Sequence, residues 1–252
     1  MNHQHRPLTT IVTGSSSGIG RAIARTFLEA GHRVVLHGRD AEKLARVRAE
    51  LAGTSVDAEE RLASVAGGIG NPDTGRRLAA TAIERFGQVD VLVNNAGTFG
   101  ATPFLEVTEA ELDGYLGGNL KGTYLTTQAV VREMRASGGG SIVNIGTVLI
   151  DHAVGGLPAS AALVSKGGVH ALTKSLAAEL APDGIRVNMV APGTIRTPLH
   201  ESVDVDAFGE VALLNRVGEA HEIADAVLYM ATAQFTNGHV LNVDGGFVTG
   251  RA

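Results

Sequence analysis

Short runs of β-branched and aliphatic residues recur along the chain and alternate with longer stretches whose apolar residues return every three or four positions. The short runs lie at 9–13, 33–36, 62–66, 89–93, 141–145, 186–190 and 239–243, and most are apolar at successive positions. Strands covered on both faces carry that pattern, as those of parallel sheets do. The longer stretches occupy 20–30, 41–51, 73–86, 109–135, 166–180 and 219–231, with Gly31 and Gly87 closing two of them. They predict crossover helices. Strand and helix in alternation, with right-handed crossovers, predict an α/β fold: a doubly wound Rossmann-like parallel sheet of about seven strands with helices on both faces. Its ligand crevice is expected at the carboxyl ends of the strands, near the switch in strand order. No linker or repeat interrupts the pattern, so residues 1–252 read as a single domain. The stretch 197–218 fits neither period and reads as a lid over the crevice.

Composition narrows the partners. Glycine takes 33 of 252 positions, nearly twice the usual ~7%, which suits a fold with many tight turns. The formal net charge is −5 and the basic residues are scattered, so nucleic acid is not an expected partner. The chain has no cysteine, which removes disulfides and thiolate chemistry. No apolar run approaches the ~18 residues of a membrane span, and the polar start lacks the apolar core of a secretory signal. A cytoplasmic location is expected. Nine histidines include no His-x-x-x-His pair, and His3 and His5 have no carboxylates beside them, so no metal site is expected.

The most informative stretch is Thr13-Gly14-Ser15-Ser16-Ser17-Gly18-Ile19-Gly20, after a predicted strand and at the opening of a predicted helix. Positions without a Cβ let backbone approach a pyrophosphate, whose charge is met by free N–H groups and the positive helix end. Gly14, Ser16, Ser17, Gly18, Ile19 and Gly20 are the candidate contacts. The spacing Gly-x-x-x-Gly-x-Gly resembles that of the short-chain dehydrogenase/reductases. The same resemblance is carried in order by Asn94-Asn95-Ala96-Gly97, Asn119, Lys166, Arg186-Val187-Asn188, Ala191-Pro192-Gly193-Thr194-Ile195-Arg196-Thr197 and Asp244-Gly245-Gly246, spanning nearly the whole chain. It implies further coenzyme contacts from Asn95, Ala96, Gly97, Lys166, Pro192, Gly193, Ile195 and Thr197. It also implies hydride transfer between the coenzyme and a small carbonyl or alcohol substrate, and a homo-oligomer, tetramer or dimer.

The resemblance places coenzyme choice at the end of the second strand, in His37-Gly38-Arg39-Asp40. Gly38 stands where an NAD-selecting carboxylate is usual, and the Arg39 guanidinium can pair with a 2′-phosphate. NADP(H) is therefore expected ahead of NAD(H), although Ser17 stands where some NADP-dependent members place a base. Gly67-Gly68-Ile69 lacks the aspartate that usually meets the adenine.

The reaction centre departs further. Family members carry a tyrosine four residues before the lysine, one helical turn away, where the ammonium lowers the phenol pKa. Here the lysine is Lys166 and the residue four positions earlier is Ala162. Thr147 stands in for the substrate-orienting serine, and Asn119 matches the asparagine that supports a water relay. His152, in a loop expected to line the substrate pocket, is the candidate replacement donor, because an imidazole exchanges protons near neutrality. His200 on the lid is a weaker one. Four readings stay open: an oxidoreductase with a non-standard acid/base arrangement, weak or atypical in rate; a nucleotide-binding protein without turnover, acting as a sensor or subunit partner; a non-redox lyase or isomerase using the same crevice; and an enzyme inactivated by substitution at 162.

Overall fold

The computed structural model describes residues 6–198 and 204–250. Seven parallel strands form the central sheet in the order β3-β2-β1-β4-β5-β6-β9. They are β1 (Thr9–Val12), β2 (Arg33–Gly38), β3 (Leu62–Ala66), β4 (Val91–Asn94), β5 (Gly140–Ile145), β6 (Ile185–Pro192) and β9 (Val240–Val243). The expected doubly wound Rossmann-like sheet is thus present, with β2 running two residues beyond its predicted end. A two-stranded ribbon pairs β7 (Ile195–Arg196) with β8 (Gly218–Glu219) at the base of the predicted lid. Residues 199–203 of that segment, His200 among them, lie outside the described residues, as do His3 and His5.

Successive side chains of a strand leave opposite faces, and this sheet buries both. Val12, Leu36, Val93, Val143 and Val190 face Ile23 and Phe27 of α1 (Gly18–Glu29), Leu44 and Val47 of α2 (Ala41–Ala52), and Ile223 and Val227 of α7 (Ala220–Thr232). Ile11, Val35, Leu92, Ile142 and Val187 face Leu78 and Ala82 of α3 (Pro72–Phe86), Val130 and Met134 of α5 (Gly122–Ser137), and Ala177 of α6 (Ser160–Glu179). This two-sided burial explains why the strand segments are apolar at consecutive positions.

Helix ends follow local chemistry. Asp40 caps α2 by accepting from the N–H groups of Glu42 and Lys43, both at 2.9 Å. Asn71 caps α3, whose first residue is Pro72 and whose chain is turned away by left-handed Gly87. The long helix predicted over 109–135 is broken. α4 (Glu109–Tyr115) passes into a π-helical turn at Leu116–Lys121 before α5 begins. The turn contains Gly117 and Gly118, weak α-helix formers, and its one buried side chain is Asn119.

The strand order reverses at β1, which pairs with β2 on one side and β4 on the other. A crevice therefore opens where the chain leaves the carboxyl ends of β1 and β4.

Candidate active site

The turn after β1 is built so that only glycine fits at its key points. Gly14 and Gly18 have φ of 67° and 52°, the left-handed region that L side chains rarely adopt. A Cβ on Gly20 would lie 2.3 Å from the Gly14 carbonyl oxygen and 2.4 Å from Asn95 Nδ2. Ser17 precedes α1 without a side-chain cap, so no hydroxyl occupies the N–H groups of the first turn, Ile19 and Gly20 included. Such an end is suited to an anion.

The loop after β4 is stitched to this turn. Thr13 Oγ1 accepts from the N–H groups of Asn95 and Ala96 at 2.9 and 3.0 Å, and donates to the Val93 carbonyl. Asn95 Nδ2 donates to the carbonyls of Thr13 and Gly14 at 2.9 and 3.1 Å. A Cβ on Gly18 would lie 3.4 Å from Thr197 Cβ, so the chain leaving β7 closes against the same turn. Pro192 ends β6, Gly193 N–H donates to the Val243 carbonyl at 3.0 Å, and Ile195 is buried in β7. The predicted coenzyme residues thus surround one crevice mouth.

Beyond it lies the polar centre. Lys166 Nζ donates to the Ile145 carbonyl at 2.9 Å, and burial pushes its pKa down to about 8. Asn119 Oδ1 accepts from Thr98 N–H at 2.8 Å, while its Nδ2 donates to the Thr98 carbonyl and to Ser165 Oγ, both at 2.9 Å. Ser165 in turn donates to the Ala162 carbonyl at 2.7 Å. Gly97 sits where these meet: a Cβ there would stand 2.8 Å from Asn119 Oδ1 and 3.5 Å from Lys166 Nζ. Thr147, two residues past the carbonyl that holds Lys166, accepts from Leu149 N–H at 3.3 Å and starts a 3-10 turn that packs on α6.

Ala162, one turn before Lys166, is fully buried with Ala161 and Tyr115, and Phe99, Val107 and Leu112 pack around them. Burial and the neighbouring Glu111 push the Tyr115 phenol up from its ordinary value. His152 lies on the segment after the 3-10 turn, half-buried, its ring edge-on to Phe247 with centroids 5.1 Å apart. No hydrogen bond joins His152 to Lys166 or Asn119 among the described residues.

On the nucleotide side, Arg39 is exposed and unpaired among the described residues, while Asp40 beside it serves as the α2 cap. A Cβ on Gly38 would come within 3.0 Å of Ser16 Oγ. Next to the glycine turn, a groove of about 440 Å³ is lined by Ser16, Ser17 and Gly18, by Arg21, Lys43 and Arg46, and by Glu50. Three cations face one carboxylate there, a local excess that the negative chain as a whole conceals.

Three site features were not anticipated from the sequence: the Ser165 bridge, the packing of Tyr115 on Ala162, and His37. The last had a signal, a histidine directly after the apolar run Val34-Val35-Leu36, and it is 1% exposed near the end of β2.

A doubly wound sheet with a glycine-lined turn at its switch point, and a lysine and asparagine converging beside it, is the architecture of a dinucleotide-binding fold. The family model described as enoyl-(acyl carrier protein) reductase matches residues 14–248. The chain is 36% identical over 243 residues to L-rhamnose-1-dehydrogenase of Scheffersomyces stipitis, covering 93% of each protein. It is 34% identical over 244 residues to the 3-oxoacyl-[acyl-carrier-protein] reductase FabG of Thermotoga maritima, covering 94% of this chain and 96% of that one. Among solved structures, a short-chain type dehydrogenase/reductase from Mycobacterium marinum superposes with a TM-score of 0.89 at 32% identity over 96% of each chain. ElxO with NADP bound superposes with a TM-score of 0.88 at 27% identity, over 97% of this chain and all of that one. The chain belongs to the short-chain dehydrogenase/reductase family of NAD(P)-binding oxidoreductases. Among the described residues, no helix is long and apolar enough to cross a membrane.

Proposed function

We propose that this protein transfers hydride between NADP(H) and a small carbonyl or alcohol substrate through an acid/base arrangement that does without a phenol at position 162. The observation that carries the reading is the convergence of Lys166, Asn119 and Gly97 at the end of a crevice whose other wall is the glycine turn. The bound coenzyme supplies the hydride donor or acceptor. The N–H groups of the turn at Ser16, Ser17, Gly18, Ile19 and Gly20 meet its pyrophosphate, and Asn95, Ala96 and Gly97 line its path. Pro192, Gly193, Ile195 and Thr197 close on it from the other side.

Choice of NADP over NAD follows from charge. A side chain at 38 would press on Ser16, so no carboxylate can stand there unless that hydroxyl moves, while Arg39, Lys43 and Arg46 stand ready for a phosphate.

Lys166, as an ammonium, holds ribose hydroxyls and stays anchored by the Ile145 carbonyl. Thr147 offers its hydroxyl to the substrate oxygen. Asn119 keeps the loop at Thr98 and helix α6 in register and so positions Lys166. The proton on the substrate oxygen comes from His152, on the segment that follows Thr147. Tyr115 also sits beside the altered position, but its phenol is pushed up by burial, and an imidazole is the stronger acid near neutrality. The segment 197–218 acts as the lid; its described part from 204 is tied to the β7–β8 ribbon, where Arg196 pairs with Asp206 and Glu219. The subunits associate as a tetramer or dimer in the cytoplasm.

One observation favours the reading without turnover: Ala162 is sealed in an apolar cluster instead of lining the crevice with a polar group. The two are separated by following NADPH fluorescence on mixing with protein, then with ketones and aldehydes. Binding with consumption supports the enzyme, and saturable binding without consumption of any substrate supports the sensor. Binding of NADH in preference to NADPH overturns the NADP choice.

A further inference from the structure

His37 is a buried titratable side chain that the chemistry above does not use. It lies one residue before the end of β2, its ring between the turn at Gly14 and the turn at Gly67. The Gly14 N–H donates to its Nδ1 at 3.1 Å, and its Nε2 meets the Gly67 carbonyl at 3.0 Å. A carbonyl only accepts and an N–H only donates, so the two contacts together fix one form of the ring: neutral, with the proton on Nε2. Its backbone is fastened to the same turn, since Ser15 N–H donates to the His37 carbonyl and His37 N–H donates to Ser15 Oγ, both at 2.8 Å.

The two partners are not arbitrary. Gly14 opens the phosphate-binding turn at φ 67°, a conformation that glycine enters without a Cβ penalty, so the bond to His37 selects it among several that are open to this residue. Gly67 begins the turn after β3, where the family resemblance places the adenine and where this chain lacks the usual aspartate. The imidazole is therefore a strut between the phosphate rim and the adenine rim, which Thr74 also fastens from α3 by donating its Oγ1 hydrogen to the Gly68 carbonyl at 2.9 Å.

The geometry points to His37 as a positioning residue for the coenzyme, one that holds both rims only as the neutral Nε2–H imidazole and releases Gly14 when protonated. This rests on the coenzyme reading given above. Protonation would place a hydrogen on Nδ1 against the Gly14 N–H, two donors face to face, and the turn must then shift. The environment resists that proton: burial lowers the His37 pKa from its ordinary value, opposed by the Gly67 carbonyl and reinforced by Arg77. Arg77 of α3, which donates to the Ala66 carbonyl, is the charged group that faces the ring. β1, β3 and the turn at 13–18 contain no titratable side chain, and the nearest basic residue of α1, Arg21, is paired with Glu50. On α2, Asp40 is committed to its cap.

The test measures NADP+ affinity by calorimetry between pH 7.5 and pH 5 for the wild type, His37→Asn and His37→Leu, with thermal melting of each. Asparagine keeps an acceptor for Gly14 and does not titrate, whereas leucine keeps neither contact. Wild-type affinity is expected to fall further than that of His37→Asn toward the acid end of this range. Titration of the 2′-phosphate is common to both and cancels in the comparison. His37→Leu should bind at least tenfold more weakly at pH 7.5, with partial recovery in His37→Asn. Parallel pH profiles of wild type and His37→Asn, or wild-type affinity in a folded His37→Leu, would overturn the assignment. A wild type that binds neither coenzyme at pH 7.5 overturns the coenzyme reading itself, a different result from either of these.

Discussion

Lys166 Nζ lies 2.9 Å from the carbonyl oxygen of Ile145, so the lysine of α6 is held at the very end of β5. Burial lowers its pKa from 10.5 to about 8. At pH 7 the amine is an ammonium, and a ligand that receives hydrogen bonds from it raises the pKa again. Coenzyme binding should therefore take up a proton above pH 8, and affinity should decline as pH rises from 8 toward 9.5. Fluorescence titration of NADPH across that range checks this, and Lys166→Met should bind weakly with a flat profile. The same depression sets the sign for stability. The unfolded chain holds this proton more tightly, so Lys166 weakens the fold below pH 8, and that cost is relieved between pH 8 and 10.5.

Gly20 carries the tightest contact of the turn. Substituting alanine puts a Cβ 2.3 Å from the Gly14 carbonyl oxygen, a backbone atom that cannot swing aside as a flexible side chain can. Gly20→Ala should cost about 1–3 kcal/mol in stability, the usual range for overpacking. It should also weaken coenzyme binding more than tenfold, because relief of the clash moves the turn at Gly14. Gly31→Ala is the comparison, since no atom lies within 4 Å of a Cβ there. Its φ of 83° still strains an alanine, so its melting temperature falls while coenzyme affinity is kept.

Arg39 is free to pair with a phosphate because Asp40 is already committed to the backbone of α2. Arg39→Ala should lower NADPH affinity roughly tenfold, about 1.4 kcal/mol, just below the ~1.5–3 kcal/mol of a charge-assisted hydrogen bond because the side chain is exposed. It should leave NADH affinity nearly unchanged. The loss should shrink as salt is raised from 50 to 300 mM, because an exposed pair is screened. Equal losses for both coenzymes would assign Arg39 to the fold instead of to the phosphate.

The sheet was readable from the sequence because both of its faces are buried: Ile11 and Val12, or Leu92 and Val93, must each find an apolar layer, so consecutive apolar residues mark every central strand. The glycine turn was readable for a related reason, since Gly14, Gly18 and Gly20 stand where the backbone leaves no alternative. The π-helical turn at Leu116–Lys121 was not. Periodicity continues through it, and the break follows from Asn119 having to reach Thr98 and Ser165, residues distant in the chain. His37 was half legible: a histidine following three apolar strand residues signals burial, but its role lies in a pair of hydrogen bonds to backbone atoms at 14 and 67, and backbone partners leave no trace in residue types. The contact between Tyr115 and Ala162 joins two helices, and no local pattern encodes it.

That last contact bears on the source of the proton. If His152 is the general acid, His152→Phe should reduce turnover by about 10² or more while coenzyme affinity stays the same, since removing such a group typically removes ~10²–10⁴ in rate. Tyr115→Phe keeps the ring that packs on Ala162 and loses only the hydroxyl, so turnover should change less than threefold. The reverse order, with Tyr115→Phe the damaging change, would transfer the role to the phenol. Ala162→Tyr distinguishes a missing donor from a different chemistry. A phenol one turn before Lys166 would have its pKa lowered by the ammonium and should raise turnover at least a hundredfold. In that background His152→Phe should become nearly silent, because the imidazole is no longer the group that delivers the proton. Melting curves serve as the control, as tyrosine at a fully buried alanine also costs packing against Tyr115 and Phe99. A stable Ala162→Tyr protein with unchanged turnover would mean that proton delivery does not limit the reaction.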